Sequence, residues 1–349
     1  MRLFNRPRPP TAFGFWLRLA LLALALLAWG VMGLGCGSWP ALAPPAGELP
    51  ATREGRIALY ERTLRAYLAA GRIPILDVGA SLAEWRDPAR LIEGMDAAGV
   101  ALAAVTAPGE SALWEAVGRH PGRLPPLTTE APESVWARGE GEYLPLLRRQ
   151  LDRGALAIGP LRAAGLASGE AGQRRILVLE AVLGLAAERR APLLLDMPPG
   201  DADVGRLERV LAAHPGARVV WTGAGHLPRV EMNPGYGHAL LRALSLRHAN
   251  LSFALGTLPP PGPSPVIRPR RHVLYDPGGR LAQEWQAVVD SRVDHFLTGG
   301  SPGAGSAPAY ARWMLGYRRA VLEALTPASR PRVAYQNAWR LLTGTDWKP

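Results

Sequence analysis

The chain has 349 residues, 48% of them hydrophobic, and carries 40 Lys and Arg residues against 29 Asp and Glu. The basic excess is spread along the chain and forms no basic run interleaved with aromatic residues, which argues against nucleic-acid binding and leaves anionic membranes and acidic small molecules as suitable partners. The single cysteine, Cys36, excludes an internal disulfide and a cysteine-based zinc site.

The first 36 residues have the layout of an export signal. Residues 1–18 contain four arginines and no acidic residue, residues 19–35 carry no charge, and Cys36 follows. The apolar run is long for a cleaved signal and slightly short for a full membrane span, and Gly35 with Cys36 resembles the end of a bacterial lipoprotein signal. We therefore predict either lipidation at Cys36 or an uncleaved membrane anchor, with a free secreted product as the third alternative. All three place the remaining chain outside the cytoplasm, on the periplasmic side.

Short apolar runs alternate with helical stretches along the rest of the chain. A Pro-, Ala- and Gly-rich linker is predicted at 37–52, and a helix at 53–70 that ends at Gly71. The predicted strands are 73–78, 100–106, 124–127, 155–161, 192–197, 218–223, 250–256 and 293–298. The predicted helices between them include 88–98, 143–153, 174–190, 204–214 and 237–248.

This alternation predicts an α/β fold in which parallel strands are joined by crossover helices. Eight such units in this length favour a (β/α)8 TIM barrel over an open doubly wound sheet, and no glycine-rich dinucleotide motif follows an early strand. The sequence therefore predicts a signal or membrane anchor at 1–36, a linker at 37–52 and a barrel domain at 53–349.

Six phrases in the barrel region, taken in order, resemble the amidohydrolase-related family of metal-dependent hydrolases. They are LIEGMDAAGV (91–100), AAERRAPLLLD (186–196), LAAHPGARVVWTGAG (211–225), HANLSFAL (248–255), HFLTGGSP (295–302) and VAYQNAWRLL (333–342). The resemblance covers residues 72–342. It implies a barrel with a metal site at the carboxyl ends of its strands.

The family builds that site from His-x-His on strand one, a His on each of strands five and six, and an Asp on strand eight. The corresponding positions of this chain hold Gly79, Ser81, Asp196, Gly223 and Ser301. Only Asp196 is a charged donor, whereas a catalytic zinc normally has three protein ligands and one open position. The resemblance thus implies a relative that has lost the metal ligands, and we predict no bound metal and no other cofactor.

Other side chains near these positions could form a rebuilt site. Under period-two alternation Asp77 shares a face of strand one with Gly79 and Ser81, although a buried carboxylate satisfied by hydrogen bonds is the simpler interpretation. His226 follows Gly223 by three residues, where a loop or helix-start histidine is the simpler interpretation. The candidate catalytic residues are Asp77, Asp196 and His226, and the candidate ligand-binding residues are Ser81, Arg162, Trp221, Gly223 and Ser301. We expect Ser81, Asp196, Gly223, His226 and Ser301 to lie in one cavity.

Three classes of function follow. The leading hypothesis is a membrane-tethered, metal-free barrel that acts by binding a small molecule or a protein partner. The alternative is an active hydrolase or lyase of the amidohydrolase type with a non-standard site. A scaffold without a pocket function is the third. The fold alone does not decide between them, because function depends on the site.

Overall fold

The strands of this computed structural model are short, apolar and parallel. The structure describes residues 48–131, 135–138, 140–198, 200–224, 235–256, 274–276, 278–299 and 305–349. The strands are β1 (Ile75–Ser81), β2 (Val100–Thr106), β3 (Ile158–Arg162), β4 (Leu193–Asp196), β5 (Val219–Ala224), β6 (Leu251–Leu255) and β7 (Phe296–Thr298). The α/β class with parallel strand pairing is therefore confirmed.

Helices connect and surround these strands. They are α1 (Arg53–Ala69), α2 (Pro88–Ala98), α3 (Glu110–Arg119), α4 (Val135–Arg138), α5 (Glu140–Asp152), α6 (Gly169–Arg189), α7 (Asp201–Ala213), α8 (His238–Arg247), α9 (Gln283–Ser291), α10 (Ala307–Ala320), α11 (Ser329–Pro331) and α12 (Asn337–Thr343). A π-helical segment, Arg332–Gln336, joins α11 to α12. Short 3-10 turns lie at Leu82–Glu84, Val293–His295 and Leu322–Ala324.

Local sequence signals explain where helix α2 begins and ends. The Asp87 side chain accepts a hydrogen bond from the N–H of Ala89, and Pro88 occupies the first turn, where its missing N–H costs nothing. Gly99 ends the helix with φ 69° in the left-handed region, which glycine adopts without a steric penalty. Strand β2 follows immediately, and all seven of its residues are buried.

The strands form a two-stranded sheet, β1-β2, and a five-stranded sheet in the order β3-β4-β5-β6-β7. The third predicted strand, 124–127, does not form a regular strand, and the prediction was wrong there. Pro125 and Pro126 lack N–H donors and cannot continue a ladder. The segment still pairs with both neighbours, because the N–H of Leu127 donates to Val105 O and the N–H of Leu156 donates to Pro126 O.

Helix α1 lies across the amino ends of several strands. The Tyr67 hydroxyl donates to the carbonyl of Val100, the first residue of β2, and the Thr63 hydroxyl donates to Gly122 O. The Arg56 guanidinium donates to Arg153 O, ahead of β3. Strands β2 and β3, and the segment 124–127 between them, are thus tied to one helix at their amino ends.

Among the described residues, no helix is both long and apolar enough to cross a membrane. The predicted anchor at 1–36, with Cys36, lies outside them.

Candidate functional site

Ser81, the last residue of β1, is held in one orientation by two hydrogen bonds. Its hydroxyl donates to Glu130 Oε1 at 2.5 Å, and its oxygen accepts the N–H of Ala83 at 3.1 Å. Glu130 is anchored through its own backbone, because its N–H donates to Ala107 O. Both side chains are partly buried. The chain therefore places a fixed hydroxyl and a carboxylate at the carboxyl ends of β1 and of the Pro125–Pro126 segment.

Glu130 was not among the predicted site residues. A sequence signal for it existed, since it follows the third predicted strand by three residues, at the edge where barrel loops carry functional groups.

Arg162 and Asp196 come together at the carboxyl ends of β3 and β4. They are register partners, and the Arg162 Nε atom lies 3.8 Å from Asp196 Oδ2. The two side chains are 77% and 53% exposed, so water screens the pair and it contributes little to stability. Surrounding protein atoms raise the pKa of the Asp196 carboxyl, and the Arg162 guanidinium partly offsets that shift. Both groups remain available to a ligand.

Asp77 does not join these residues. It is fully buried, and its Oδ2 accepts a hydrogen bond of 2.9 Å from the hydroxyl of Tyr310 on α10. Its Oδ1 has no hydrogen-bond partner within the described ranges. Burial raises the pKa of the Asp77 carboxyl to about 6, and the Tyr310 hydrogen bond opposes that shift.

Gly79 interrupts the alternation on which a shared face for Asp77 and Ser81 was predicted. Its φ is 94°, and the β1–β2 register shifts between Val78 and Ala80. A Cβ at Gly79 would lie 3.5 Å from Leu194 of β4, whereas Asp77 reaches the helix layer. Glycine is required here because a side chain is strained at this φ.

Of the four remaining predicted site residues, the structure describes Trp221 and Gly223. Trp221 is 1% exposed, donates from Nε1 to Met197 O at 2.8 Å and packs edge-on against Tyr236, so it is part of the core. Gly223 lies in β5, as its position after Trp221 predicted. His226 and Ser301 lie outside the described residues.

The described residues do not provide a metal-binding donor set. No group of three or more His, Cys, Asp or Glu side chains could hold a metal ion in the part of the chain that the structure describes. Of the two candidate carboxylates, Asp77 bonds to Tyr310 and Asp196 lies beside Arg162. Since a catalytic zinc needs three protein ligands, these donors do not fit one.

An open depression of about 500 Å³ lies elsewhere, between α3 and α5. The ring of Trp114 lines it, and the guanidinium carbons of Arg56 and Arg153 lie 5.1 and 4.6 Å from the Trp114 ring centre. Glu110 already pairs with Arg149 and Arg153 at 3.2 and 3.1 Å. The carboxylate of Glu110 is therefore already paired with two arginines, whereas the Arg162–Asp196 pair is longer and more exposed.

No protein-family model matches the sequence, and no curated protein matches it either. The chemistry of the site must therefore be inferred from the residues themselves. A fixed hydroxyl, two carboxylates and a guanidinium can bind a polar molecule through hydrogen bonds and charge.

Proposed function

We propose that this chain is a membrane-tethered (β/α)8 barrel, related to the amidohydrolase family, that binds a small polar ligand without a catalytic metal. The observation that carries the proposal is the pairing of Ser81 with Glu130 and of Arg162 with Asp196 at the carboxyl ends of neighbouring strands. This edge is where α/β folds of this kind place their ligands.

Hydrogen bonds between the two sheets support the closed barrel. The Pro125–Pro126 segment contacts β2 on one side and Leu156, two residues before β3, on the other. Val78 of β1 forms a parallel bridge with Gly299, directly after β7. With this segment counted as an irregular eighth strand, every strand has a neighbour on both sides, which is the requirement for closure.

Loss of the metal is supported by the residue types at the family positions. Gly79 and Gly223 have no side chain, and the Ser81 hydroxyl is engaged by Glu130. A neutral hydroxyl is a poor zinc ligand, and one exposed carboxylate beside an arginine competes weakly with water for the ion. Elemental analysis of the purified full chain, prepared without chelators, should therefore find well under one equivalent of zinc, manganese or iron. Near-stoichiometric metal that disappears in Asp196→Ala would overturn this part of the proposal.

The ligand is expected to carry hydrogen-bond donors for Glu130 and Asp196 and an acceptor for Arg162. Ligand-observed NMR with a panel of amino acids, sugars and small amines should detect binders to the purified full chain. Their binding should weaken in Glu130→Gln and Asp196→Asn. The matched control is Glu115→Gln, which removes a 57% exposed carboxylate from the outer helix α3. Binding that is equally weak in all three variants would contradict the assigned site.

A second candidate is a metal-free hydrolase, which the Ser81–Glu130 hydrogen bond specifically favours. A carboxylate that accepts the proton of a serine hydroxyl can act as a general base when that oxygen attacks a carbonyl carbon. Hydrolysis of an activated ester such as p-nitrophenyl acetate, lost in both Ser81→Ala and Glu130→Gln, would make this the leading function. We expect no such activity under the binding proposal.

Membrane attachment is supported by residues 1–36 of the sequence. The full chain should fractionate with membranes and stay there in high salt, because an apolar anchor does not depend on charge. If the chain is a lipoprotein, Cys36→Ser should release it from the membrane. If residues 1–36 form an uncleaved anchor, the variant should stay in the membrane. Recovery of the wild-type chain mainly as soluble protein would contradict attachment.

A further inference from the structure

The amino ends of the strands carry a group of arginines that we call the amino-end surface: Arg53, Arg62, Arg190, Arg218 and Arg340. Arg53 begins α1 and Arg62 lies on its exposed side, whereas Tyr67 and Thr63 on the opposite side bind the strand ends. Arg190 lies three residues before β4, and Arg218 directly precedes β5. These positions put all five side chains at the end of the fold opposite Ser81 and Asp196.

Backbone carbonyls hold two of these arginines, Arg53 and Arg218, near one another. Arg53 Nη2 donates to Leu342 O at 2.9 Å, and Arg218 Nη1 donates to Arg340 O at 3.3 Å, so both guanidiniums lie at the last turn of α12. Arg218 also donates to Arg190 O. A guanidinium has five N–H donors, so these bonds position the side chains and leave most of their donors available.

Four of the five arginines of this surface lack a direct carboxylate partner in the part of the chain that the structure describes. Among the described residues, no carboxylate oxygen lies within 4.0 Å of the guanidiniums of Arg53, Arg62, Arg190 or Arg218. Burial lowers the pKa of Arg218, and so do the nearby charges of Arg53 and Arg340. An anionic partner would relieve this repulsion.

Acidic side chains at the same end are largely committed to other partners. Glu61 pairs with Arg65 at 2.8 Å, and Asp294 pairs with Arg332 at 2.6 Å. Arg340 lies 3.9 Å from Asp294 and 4.0 Å from Asp346, at the outer limit of an ion pair. The charge of Glu54 beside Arg53 and the two aspartates near Arg340 offset part of the charge of the five arginines, and the surface keeps a net positive charge.

We propose that the amino-end surface docks onto the anionic phospholipid headgroups of the membrane to which the chain is attached. The inference rests on the proposed membrane attachment. The stretch between Cys36 and Arg53 spans at most about 60 Å when fully extended, so the surface that receives the linker stays within reach of the bilayer. Clustered basic residues beside a membrane segment bind anionic lipids, at roughly a fivefold gain per arginine. Docking would turn the carboxyl-end residues Ser81 and Asp196 away from the bilayer.

Arginine modification on the intact protein tests the proposal residue by residue. The full chain is placed in lipid nanodiscs of phosphatidylcholine, alone or mixed with phosphatidylglycerol, and treated with phenylglyoxal, and each site is quantified by mass spectrometry. Arg62 and Arg190 should react several times more slowly in the anionic discs. Arg209 and Arg242, exposed on α7 and α8, are internal references and should react equally in both. Added 0.5 M NaCl should abolish the protection.

A pair of variants separates docking from general charge effects. Arg62→Gln with Arg190→Gln removes two exposed charges and should weaken docking about 25-fold, which exposes Arg53 and Arg218 to the reagent. Arg209→Gln with Arg242→Gln removes the same charge from the side helices and should leave the protection intact. Equal protection in neutral and anionic discs, or none in either, would overturn the docking proposal while the chain remains in the discs. Failure of the chain to enter discs would instead refute the attachment.

Discussion

Two arginines, Arg123 near the amino ends of the strands and Arg162 at their carboxyl ends, have opposite roles. At the amino ends, Arg123 is 1% exposed, donates to Ala101 O and Val100 O, and approaches Asp96 at 2.7 Å without hydrogen-bond alignment. At the carboxyl ends, Arg162 is 77% exposed and its nearest carboxylate is 3.8 Å away. The comparison separates charges that hold the fold together from charges that remain available to a ligand, which residue type alone does not reveal.

The largest expected effect is at the amino end. Arg123→Gln should lower the free energy of unfolding by about 4 kcal/mol, because it removes the buried guanidinium that faces Asp96 and its hydrogen bonds to Ala101 O and Val100 O. Urea denaturation of the full chain in detergent, followed by tryptophan fluorescence, measures this. A loss below about 1 kcal/mol would show that the amino end is not fixed by this residue.

A close backbone contact at the carboxyl end gives the next largest expected effect on stability. A Cβ at Gly299 would lie 2.4 Å from Val78 O and 3.0 Å from Val78 N. Gly299→Ala should therefore push β7 away from β1 and cost about 3 kcal/mol of unfolding free energy. Gly316→Ala on α10 is the control, because nothing lies within 4 Å of its added methyl group, and it should be neutral or stabilising. Equal stability of both variants would contradict the close β1–β7 contact.

Asp77 lies between the two ends and should give a pH-dependent effect. Its folded pKa, about 6, lies above the ordinary value of 3.8, so its contribution to stability is present below pH 4 and is lost as the pH rises through 6. Asp77→Asn stays neutral. Relative to wild type, its unfolding free energy should therefore rise by about 2 to 3 kcal/mol between pH 4 and pH 7.

Urea denaturation at both pH values measures that difference. Asp346→Asn, at an 80% exposed carboxylate, is the control and should follow the wild type. A difference between Asp77→Asn and wild type that does not change with pH would show that the buried carboxyl does not titrate in this range.

The smallest effect is expected at Arg162. Arg162→Gln should change the unfolding free energy by less than about 0.5 kcal/mol, because the ion pair with Asp196 is exposed and long. The same urea measurement applies. A loss above 2 kcal/mol would mean that this pair stabilises the fold, and the contrast between the two ends would disappear.

Hydrophobic patterning predicted the parallel α/β class and most strand positions, because buried strands and amphipathic helices differ in period. The residues of β2 were predicted without error. The patterning failed at Pro125 and Pro126, where apolar residues suit a strand but lack the N–H groups that a ladder requires.

The candidate site was less predictable. Strand ends suggested Ser81, Arg162 and Asp196, but the Ser81–Glu130 hydrogen bond joins residues far apart in the sequence. The bulge at Gly79 depends on a backbone φ that period-two alternation does not encode. The sequence allows Asp77 to be either a buried structural residue or a functional one, and its hydrogen bond to Tyr310 favours the structural role.

The guanidinium of Arg56 has a mechanical consequence for a force applied to the chain ahead of α1. Its Nε and Nη2 atoms donate to Pro50 O and Ala51 O, and its Nη1 atom donates to Arg153 O. A pull from the N-terminal side therefore reaches the entry of β3 through this one side chain before it can unwind α1. Such a pull would load the strands at that point, and the first turn of α1 would carry less of the force.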